Sequence, residues 1–289
     1  MDNIQWFPGH MAKARRLISE NLHIVDVIIE VLDARIPLSS HNTDVEKILN
    51  NKPRVLVLNK SDLADPKVSK KWQEYYKRQN IAATFLNSHD VKTLSEFKNI
   101  IKGIMSENNK RLQDKGVLNR PVKTMVVGIP NSGKSSFINA LAGRASAKTG
   151  DIPGVTRGKQ WIRIESIMDL LDMPGVLQPK FENQHQALNL AITGAIKDVT
   201  LDIQDLAASL MEKLRDTYPE MLCSRYKLTD ISEMTGYELL ESCAGKRGFI
   251  LPGGIKDITR MASVLMDEFR GGKIGRITLE TPQIMGQME

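Results

Sequence analysis

The sequence predicts an α/β fold, a mostly parallel sheet with helices on both faces, followed by a smaller all-α C-terminal domain. Three observations predict it. Short, nearly all-apolar runs recur through the first 180 residues with helix-compatible segments between them, the pattern of strands covered on both faces. A glycine-bearing loop lies directly between one such run and a helical segment. Beyond Pro179 the strand-like runs stop and apolar residues recur only at helical spacing.

The elements follow in order. Strands are expected at 25–32, 54–58, 81–86, 123–127 and 167–171, each rich in branched residues and ending in a polar or Gly/Pro-bearing turn. Residues 160–165 alternate polar and apolar, as a half-exposed edge strand does. Helices are expected at 43–50, 66–78, 94–105 and 136–141. After a boundary near Val176 to Asn183, further helices are expected at 183–196, 202–216, 231–241 and 255–270. Asp202 precedes the Ile203/Leu206/Leu210/Leu214 stripe and is placed to cap it. The expected division is 1–180 and 181–289.

Composition narrows the class. Of 289 residues, 41% are hydrophobic and 26% charged, a globular balance that excludes wholesale disorder. No apolar run approaches the roughly 18 residues of a membrane span, and the N-terminus lacks the pattern of a secretory signal. Two cysteines, Cys223 and Cys243, cannot make a disulfide framework, so a cytoplasmic protein is expected. Net charge is +6, which favours a polyanionic partner. Residues 1–180 carry 28 Lys+Arg against 18 Asp+Glu, and residues 243–276 carry 7 against 3, whereas 181–242 carry 5 against 11. An ordinary solvated surface explains such unevenness equally well.

The sharpest motif is Gly128-Ile129-Pro130-Asn131-Ser132-Gly133-Lys134-Ser135, which fits G-x-x-x-x-G-K-[ST] between a strand and the helix-compatible run from Ser136. The glycines let backbone N–H groups turn inward at a helix N-terminus that already favours anions. Lys134 is expected to reach the β- and γ-phosphates, and the Ser135 hydroxyl to ligate Mg²⁺. Asn131 through Ser136 form the cradle.

Asn59-Lys60-Ser61-Asp62 follows the strand at 54–58 and fits N-K-x-D. The Asp62 carboxylate can accept two hydrogen bonds from guanine. Adenine lacks that donor pair and would leave the carboxylate unpaired. Asn59 and the stem of Lys60 would brace the base and the loop. Asn87-Ser88, after the strand at 81–86, can meet the guanine oxygen through backbone N–H. Asp172-Met173-Pro174-Gly175 fits D-x-x-G at a strand end, where Asp172 can hold Mg²⁺ through water and the Gly175 N–H can bind the γ-phosphate. Thr156 is the candidate second hydroxyl on the metal, with a plain Gly/Pro turn as its alternative.

The order of these motifs is permuted relative to Ras-like GTPases, because Asn59 precedes Gly128. A site built from strand ends tolerates such re-cutting. One consequence is that the γ-phosphate-sensing segment at 172–175 leads directly into the helical region, so nucleotide state would be coupled to it. With Trp6-Phe7-Pro8-Gly9-His10-Met11 at the start and Leu32-Asp33-Ala34-Arg35-Ile36-Pro37 after the first strand, the chain resembles the circularly permuted GTPases. It most resembles the ribosome biogenesis GTPase A (RbgA/YlqF) family. The likeness extends to Lys148-Thr149-Gly150-Asp151, Gly194-Ala195-Ile196-Lys197-Asp198 and Gly245-Lys246-Arg247-Gly248. It implies a cytoplasmic GTPase that binds GTP and GDP with Mg²⁺ and engages a late precursor of the large ribosomal subunit, its helical C-terminal domain contacting ribosomal RNA. Nothing in the sequence demands a dimer, so a monomer is expected.

Where many GTPases carry a water-orienting Gln after D-x-x-G, this chain has Val176, so another group must assist hydrolysis. The resemblance implies that this group is His10, an imidazole able to bind water near neutral pH. Packing of Trp6 and Phe7 with His10 merely following, or RNA contact, are the alternatives. The residues expected at the reacting phosphate are thus His10, Lys134, Thr156 and Gly175. Asn131 also resembles a loop residue of GTPases that use K⁺ as an extra charge, and equally it can serve only to stabilise the loop. Arg35 and Arg157 are further candidates for charge stabilisation. His23, His41, His89 and His185 read as ordinary residues.

For RNA, the C-terminal candidates are Lys246, Arg247, Lys256, Arg260, Arg270, Lys273 and Arg276, with Lys13, Arg15 and Arg16 as an N-terminal basic cluster. Phosphate contacts of this kind predict steeply salt-dependent binding. Aromatics at only 5% argue for recognition of shape and backbone over base stacking. The competing reading is a nucleotide-gated RNA- or ribosome-binding module in which hydrolysis is incidental. A membrane-associated signalling GTPase is disfavoured by the lack of a lipidation motif.

Overall fold

β1 (Val27–Asp33) is buried along its whole length and lies inside a six-stranded sheet of order β3-β2-β1-β4-β6-β5. The computed structural model describes residues 9–49, 52–114, 120–143, 161–177, 183–196 and 202–282. β2 (Arg54–Asn59), β3 (Ala82–Phe85), β4 (Val122–Gly128) and β6 (Met168–Asp172) run parallel to β1. β5 (Trp161–Ile164) lies at the edge, as its alternating sequence predicts, but it pairs antiparallel and only Arg163 of its four residues is exposed.

Alternation along β1 sends its side chains to two layers. Val27, Ile29 and Val31 pack with Phe97 and Ile101 of α4 (Val91–Gln113) and with Phe137 and Ile138 of α5 (Lys134–Ala142). On the opposite face, Ile28 meets Ile18 of α1 (Gly9–Asn21) and Val45 of α2 (Thr43–Leu49). Leu32 meets Trp72 and Tyr76 of α3 (Pro66–Arg78) there. The inner strands β1 and β4 are mostly apolar because both of their faces are covered by helices.

Glu30 is one of two buried acids within β1, the other being Asp33 at its end. The Glu30 carboxylate lies 2.9 Å from His41 Nδ1 and 3.2 Å from an Arg54 guanidinium nitrogen, while His41 Nε2 lies 3.0 Å from Glu46. Burial would lower the His41 pKa, but Glu30 and Glu46 outweigh it and raise it to about 9. His41 is therefore a structural cation and not an ordinary histidine.

The second region is helical: α6 (Gln184–Ile192), α7 (Ile203–Thr217), α8 (Pro219–Tyr226), α9 (Gly236–Lys246) and α10 (Ile258–Arg270). Its core joins Leu206, Leu210 and Leu214 of α7 to Leu239 and Leu240 of α9 and to Met261, Leu265 and Phe269 of α10. Asp202 caps α7 as expected, accepting from the Gln204 and Asp205 amides. α9 starts later than the apolar spacing suggests, because Thr235 and Glu238 form a reciprocal capping box that fixes the first turn. α10 likewise starts at Asp257, its cap, since residues 250–256 fold back in a small hairpin with an Ile250–Lys256 bridge. α1 and α8 are helices not foreseen, and α4 is longer than expected.

The chain beyond α10 returns to the sheet. Glu280 is buried, accepts from the Leu38 amide at 2.7 Å and the Ser39 amide at 3.1 Å, and receives the Asn189 side-chain amide at 2.9 Å. Trp72 Nε1 donates to the Glu280 carbonyl at 3.0 Å.

Candidate nucleotide site

The parallel strands all end at one edge of the sheet, and the loops leaving β1, β2, β4 and β6 meet there. The first glycine of the phosphate loop, Gly128, sits so close to β1 that a Cβ would lie 2.6 Å from the Val31 carbonyl oxygen. Gly133 has φ +83° and a Cβ there would lie 2.2 Å from Asn59 Nδ2. Both positions therefore require glycine. Asn131 also adopts a left-handed conformation, with φ 57°, which asparagine tolerates better than most residues. α5 begins at Lys134, so its free N–H groups face the loop's concavity.

Asn59 joins the N-K-x-D turn to this loop. Its Nδ2 donates to the Ser132 carbonyl at 3.1 Å and the Gly133 carbonyl at 3.3 Å, and its Oδ1 accepts from Ser88 Oγ at 2.8 Å. Lys60 lies along the loop and donates to Asp33 Oδ2 at 3.0 Å and to the Asn131 carbonyl. Asp33 in turn holds the Arg35 guanidinium through bonds of 2.8 and 3.0 Å. Burial would raise the Asp33 carboxyl, but Arg35 and Lys60 hold it well below the usual carboxylate range. Lys134 Nζ is paired with the Asp172 carboxylate. Gly175 packs under the loop, where a Cβ would lie 3.1 Å from the Pro130 nitrogen.

A cleft of about 800 Å³ opens over these groups, lined by Arg35, Lys60, Ile129, Pro130, Asn131, Gly133, Lys134, Ser135, Ser136, Pro174, Gly175, Thr193 and Arg270. The last two come from the helical region, which walls one side. Asn131 Nδ2 donates to the Gly194 carbonyl at 2.5 Å, and Arg270 donates to the Ile192 and Ala191 carbonyls at 3.0 and 2.9 Å. Val176 is buried, its N–H bonded to the Gly128 carbonyl and its carbonyl to Asn42 Nδ2.

Asp62 is exposed on the turn after Asn59. The Asn87 amide donates to Thr93 Oγ1 at 3.2 Å and Ser88 is buried against Asn59. Ser135 and Ser136 are exposed at the start of α5, and Ser132 is buried. Trp6 to Pro8, Lys148 to Asp151, Thr156, Arg157, Lys197 and Asp198 lie outside the described residues, as do the side chains of His10 and Met11; the backbone of His10 starts α1. Among the C-terminal cations, Lys246, Lys256, Arg260, Lys273 and Arg276 are exposed, with Arg260 4.3 Å over the Phe249 ring and Lys256 3.1 Å from Glu241. Arg247 pairs with Glu268 at 3.0 Å. Arg276 donates to two backbone carbonyls, Ala64 at 2.9 Å and Ser61 at 2.8 Å. Sequence reasoning missed Gly194 and Thr193 as cleft-side residues, although Gly194 stands in one of the quoted motifs.

This geometry has close parallels. The family described as 50S ribosome-binding GTPase matches residues 123–229. Ribosome biogenesis GTPase A of Bacillus pumilus is 45% identical over 280 residues, covering 97% of this chain and 99% of that protein. The chain belongs to the ribosome biogenesis GTPase A family. The Thermotoga maritima member is 31% identical over 97% of this chain and 95% of its own. The GDP-bound structure of Thermotoga maritima YlqF superposes with a TM-score of 0.69 at 26% identity, covering 93% of this chain and 100% of that one. Its GNP-bound counterpart gives 0.64 at 27%, covering 94% and 99%. As a member of this family the chain is a Ras-like P-loop GTPase with permuted motifs and a helical C-terminal region. It binds GTP and GDP, hydrolyses GTP, and acts in ribosome assembly. Among the described residues, no helix is long and apolar enough to cross a membrane.

Proposed function

We propose that this GTPase drives or checks a late step of large-subunit assembly in the cytoplasm, as a monomer whose turnover is stimulated by the ribosomal particle. In this reading residues 1–180 form the catalytic unit and 181–289 the RNA-binding unit. The observation that supports it is the Asn59 bridge to Ser132 and Gly133, which ties the N-K-x-D turn to the phosphate loop beside a cleft whose wall includes the helical residues Thr193 and Arg270.

Around that cleft, whose lining includes Lys60, the loop residues from Asn131 to Ser136 other than Ser132, and Gly175, the roles follow from chemistry. Asp62 reads the guanine edge, Asn59 and Lys60 brace the turn, and Asn87 and Ser88 border the base. Loop residues Asn131 to Ser136 hold the phosphates, with Lys134 on the β- and γ-groups and Gly175 donating its N–H to the γ-phosphate. Ser135, Asp172 and Thr156 offer the hard oxygens that suit Mg²⁺ beside phosphates, and the metal supplies charge neutralisation there. Lys134 is paired with Asp172 in the structure, so in this reading its ammonium turns to the phosphates when nucleotide binds and frees the carboxylate for the metal. Asn131 supplies an amide oxygen suited to K⁺. Val176 is apolar and buried and cannot orient water; the resemblance to the family assigns the attacking water to His10. RNA contact falls to the exposed Lys246, Lys256, Arg260 and Lys273, with Arg247 beside them; Arg270 and Arg276 hold internal carbonyls as well.

Phosphate release from GTP and ATP, with large subunits, small subunits or neither, tests the proposal. Stimulation by large particles alone, with GTP alone, is expected. Turnover indifferent to particles would leave a constitutive hydrolase instead. His10→Ala should abolish the stimulated rate while GTP binding persists; intact stimulation removes that assignment.

A further inference from the structure

The turn that carries Asp62 is held from outside by the segment following α10. Between Ser61 and Asp65, Arg276 Nη2 donates to the Ser61 carbonyl at 2.8 Å and Arg276 Nε to the Ala64 carbonyl at 2.9 Å. The Ile277 amide donates to the Leu63 carbonyl at 2.9 Å. Thr278 Oγ1 accepts from the Asp65 amide at 3.0 Å. Tyr218, between α7 and α8, closes the arrangement by donating to Asp65 Oδ2 at 3.2 Å and accepting from the Thr278 amide at 3.1 Å. Gly272 passes so near that a Cβ would lie 2.7 Å from Leu63 Cδ2. Inside the turn, the Leu63 amide bonds only back to the Lys60 carbonyl at 3.0 Å. The Ser61 amide also donates to the Leu86 carbonyl at 3.2 Å, so the turn is held by the strap and by the end of β3 together.

We propose that Arg276, with Thr278, is a positioning residue for guanine recognition: residues 276–278 form a strap that fixes the Ser61–Asp65 turn and so aims the Asp62 carboxylate. The inference rests on Asp62 reading the guanine edge. The planar guanidinium suits the task, because its fork spans two carbonyls at a fixed separation where a lysine ammonium would act as a point charge. Stacking of the purine tolerates a looser turn. A second hydrogen bond to the exocyclic amine does not, since it requires the carboxylate at one distance and angle. Losing the strap should therefore cost the two-bond base more than the one-bond base. The strap also belongs to the polypeptide that runs off α10, so the position of the helical region sets the sharpness of base selection.

The experiment is calorimetric titration of the full chain with GDP and with inosine diphosphate, whose base lacks the exocyclic amine. In the unaltered protein GDP binds more tightly. Arg276→Ala should lower the GDP-to-IDP affinity ratio by about fivefold or more, Thr278→Val should lower it less, and Arg276→Lys should fall between Arg276→Ala and the unaltered protein. Asp62→Ala is run alongside and should bring the ratio close to one. A ratio within twofold of the unaltered protein for Arg276→Ala, while Asp62→Ala collapses it, overturns the strap's role alone. If Asp62→Ala leaves the ratio intact, the base-reading assignment itself fails and this inference falls with it. Should Arg276→Ala not fold, Arg276→Lys and Thr278→Val decide: unchanged ratios in both overturn the proposal. Loss of ribosomal particle binding by Arg276→Ala at an unchanged ratio would place the residue on RNA instead.

Discussion

Asn59 donates its side-chain amide to the Ser132 carbonyl 3.1 Å away, tying two loops that lie 73 positions apart in the chain. Its other face is occupied by the Ser88 hydroxyl, so one amide group fixes three strand-end loops at once. Each such bond contributes on the order of 1 kcal/mol.

Asn59→Ala should consequently weaken GDP affinity about 10- to 100-fold, the range that one to two such bonds and a loosened cradle represent. Titration calorimetry measures this. An affinity within twofold of the unaltered protein would show that the phosphate loop keeps its shape unaided.

At Gly133, both the positive φ and the neighbouring Asn59 amide forbid a side chain. Gly133→Ala should abolish detectable nucleotide binding and destabilise the fold by about 1–3 kcal/mol, the scale of a strained left-handed residue. Calorimetry and urea unfolding, compared with and without GDP, would separate the two losses.

The Asp33 carboxylate is 2% exposed and faces two cations, Arg35 and Lys60. Asp33→Asn leaves the equally buried Arg35 without its counter-charge, and breaking a buried pair in this way costs about 3–5 kcal/mol. The loss should appear in chemical denaturation at neutral pH. It should exceed that of Asp33→Asn combined with Arg35→Met, which removes both charges.

His41 carries a pH dependence. Its pKa in the folded protein is raised to about 9, above the roughly 6.5 of an unfolded histidine. The stability it supplies is therefore complete below about pH 6.5 and is lost as pH rises through about 9. Thermal unfolding across that window should show a falling midpoint, and His41→Gln should flatten the slope. A slope unchanged in His41→Gln would place the titrating group elsewhere.

Much of this architecture is legible in the chain because the signals are local. A G-x-x-x-x-G-K-S run needs a close backbone approach at Gly128 and a left-handed backbone at Gly133, and those requirements show directly in residue type. Strands buried on both faces likewise advertise themselves by continuous apolar runs. What escapes a linear reading depends on partners distant in sequence. His41 is unexceptional until folding brings Glu30, Glu46 and Arg54 around it. Arg276 reads as one more surface cation, yet the carbonyls it holds belong to residues 212 and 215 positions earlier. α1 escaped because its short buried stripe, Ala14 and Ile18, is masked by Lys13, Arg15 and Arg16. Gly194 was visible as a motif residue without a role, since its bond to Asn131 joins two regions that sequence treats separately.

The register of the sheet has a consequence for how the molecule comes together. Ile28 pairs with Arg54, whereas Val27 must find Thr124. The first contact closes a short loop and the second a loop several times longer, with a correspondingly greater entropic cost. The β1–β2–β3 half, which bears the base-facing turn, can thus consolidate while β4 is still searching. A chain caught at that stage owns no phosphate cradle. In that order of events nucleotide capture waits until β4 has joined the sheet.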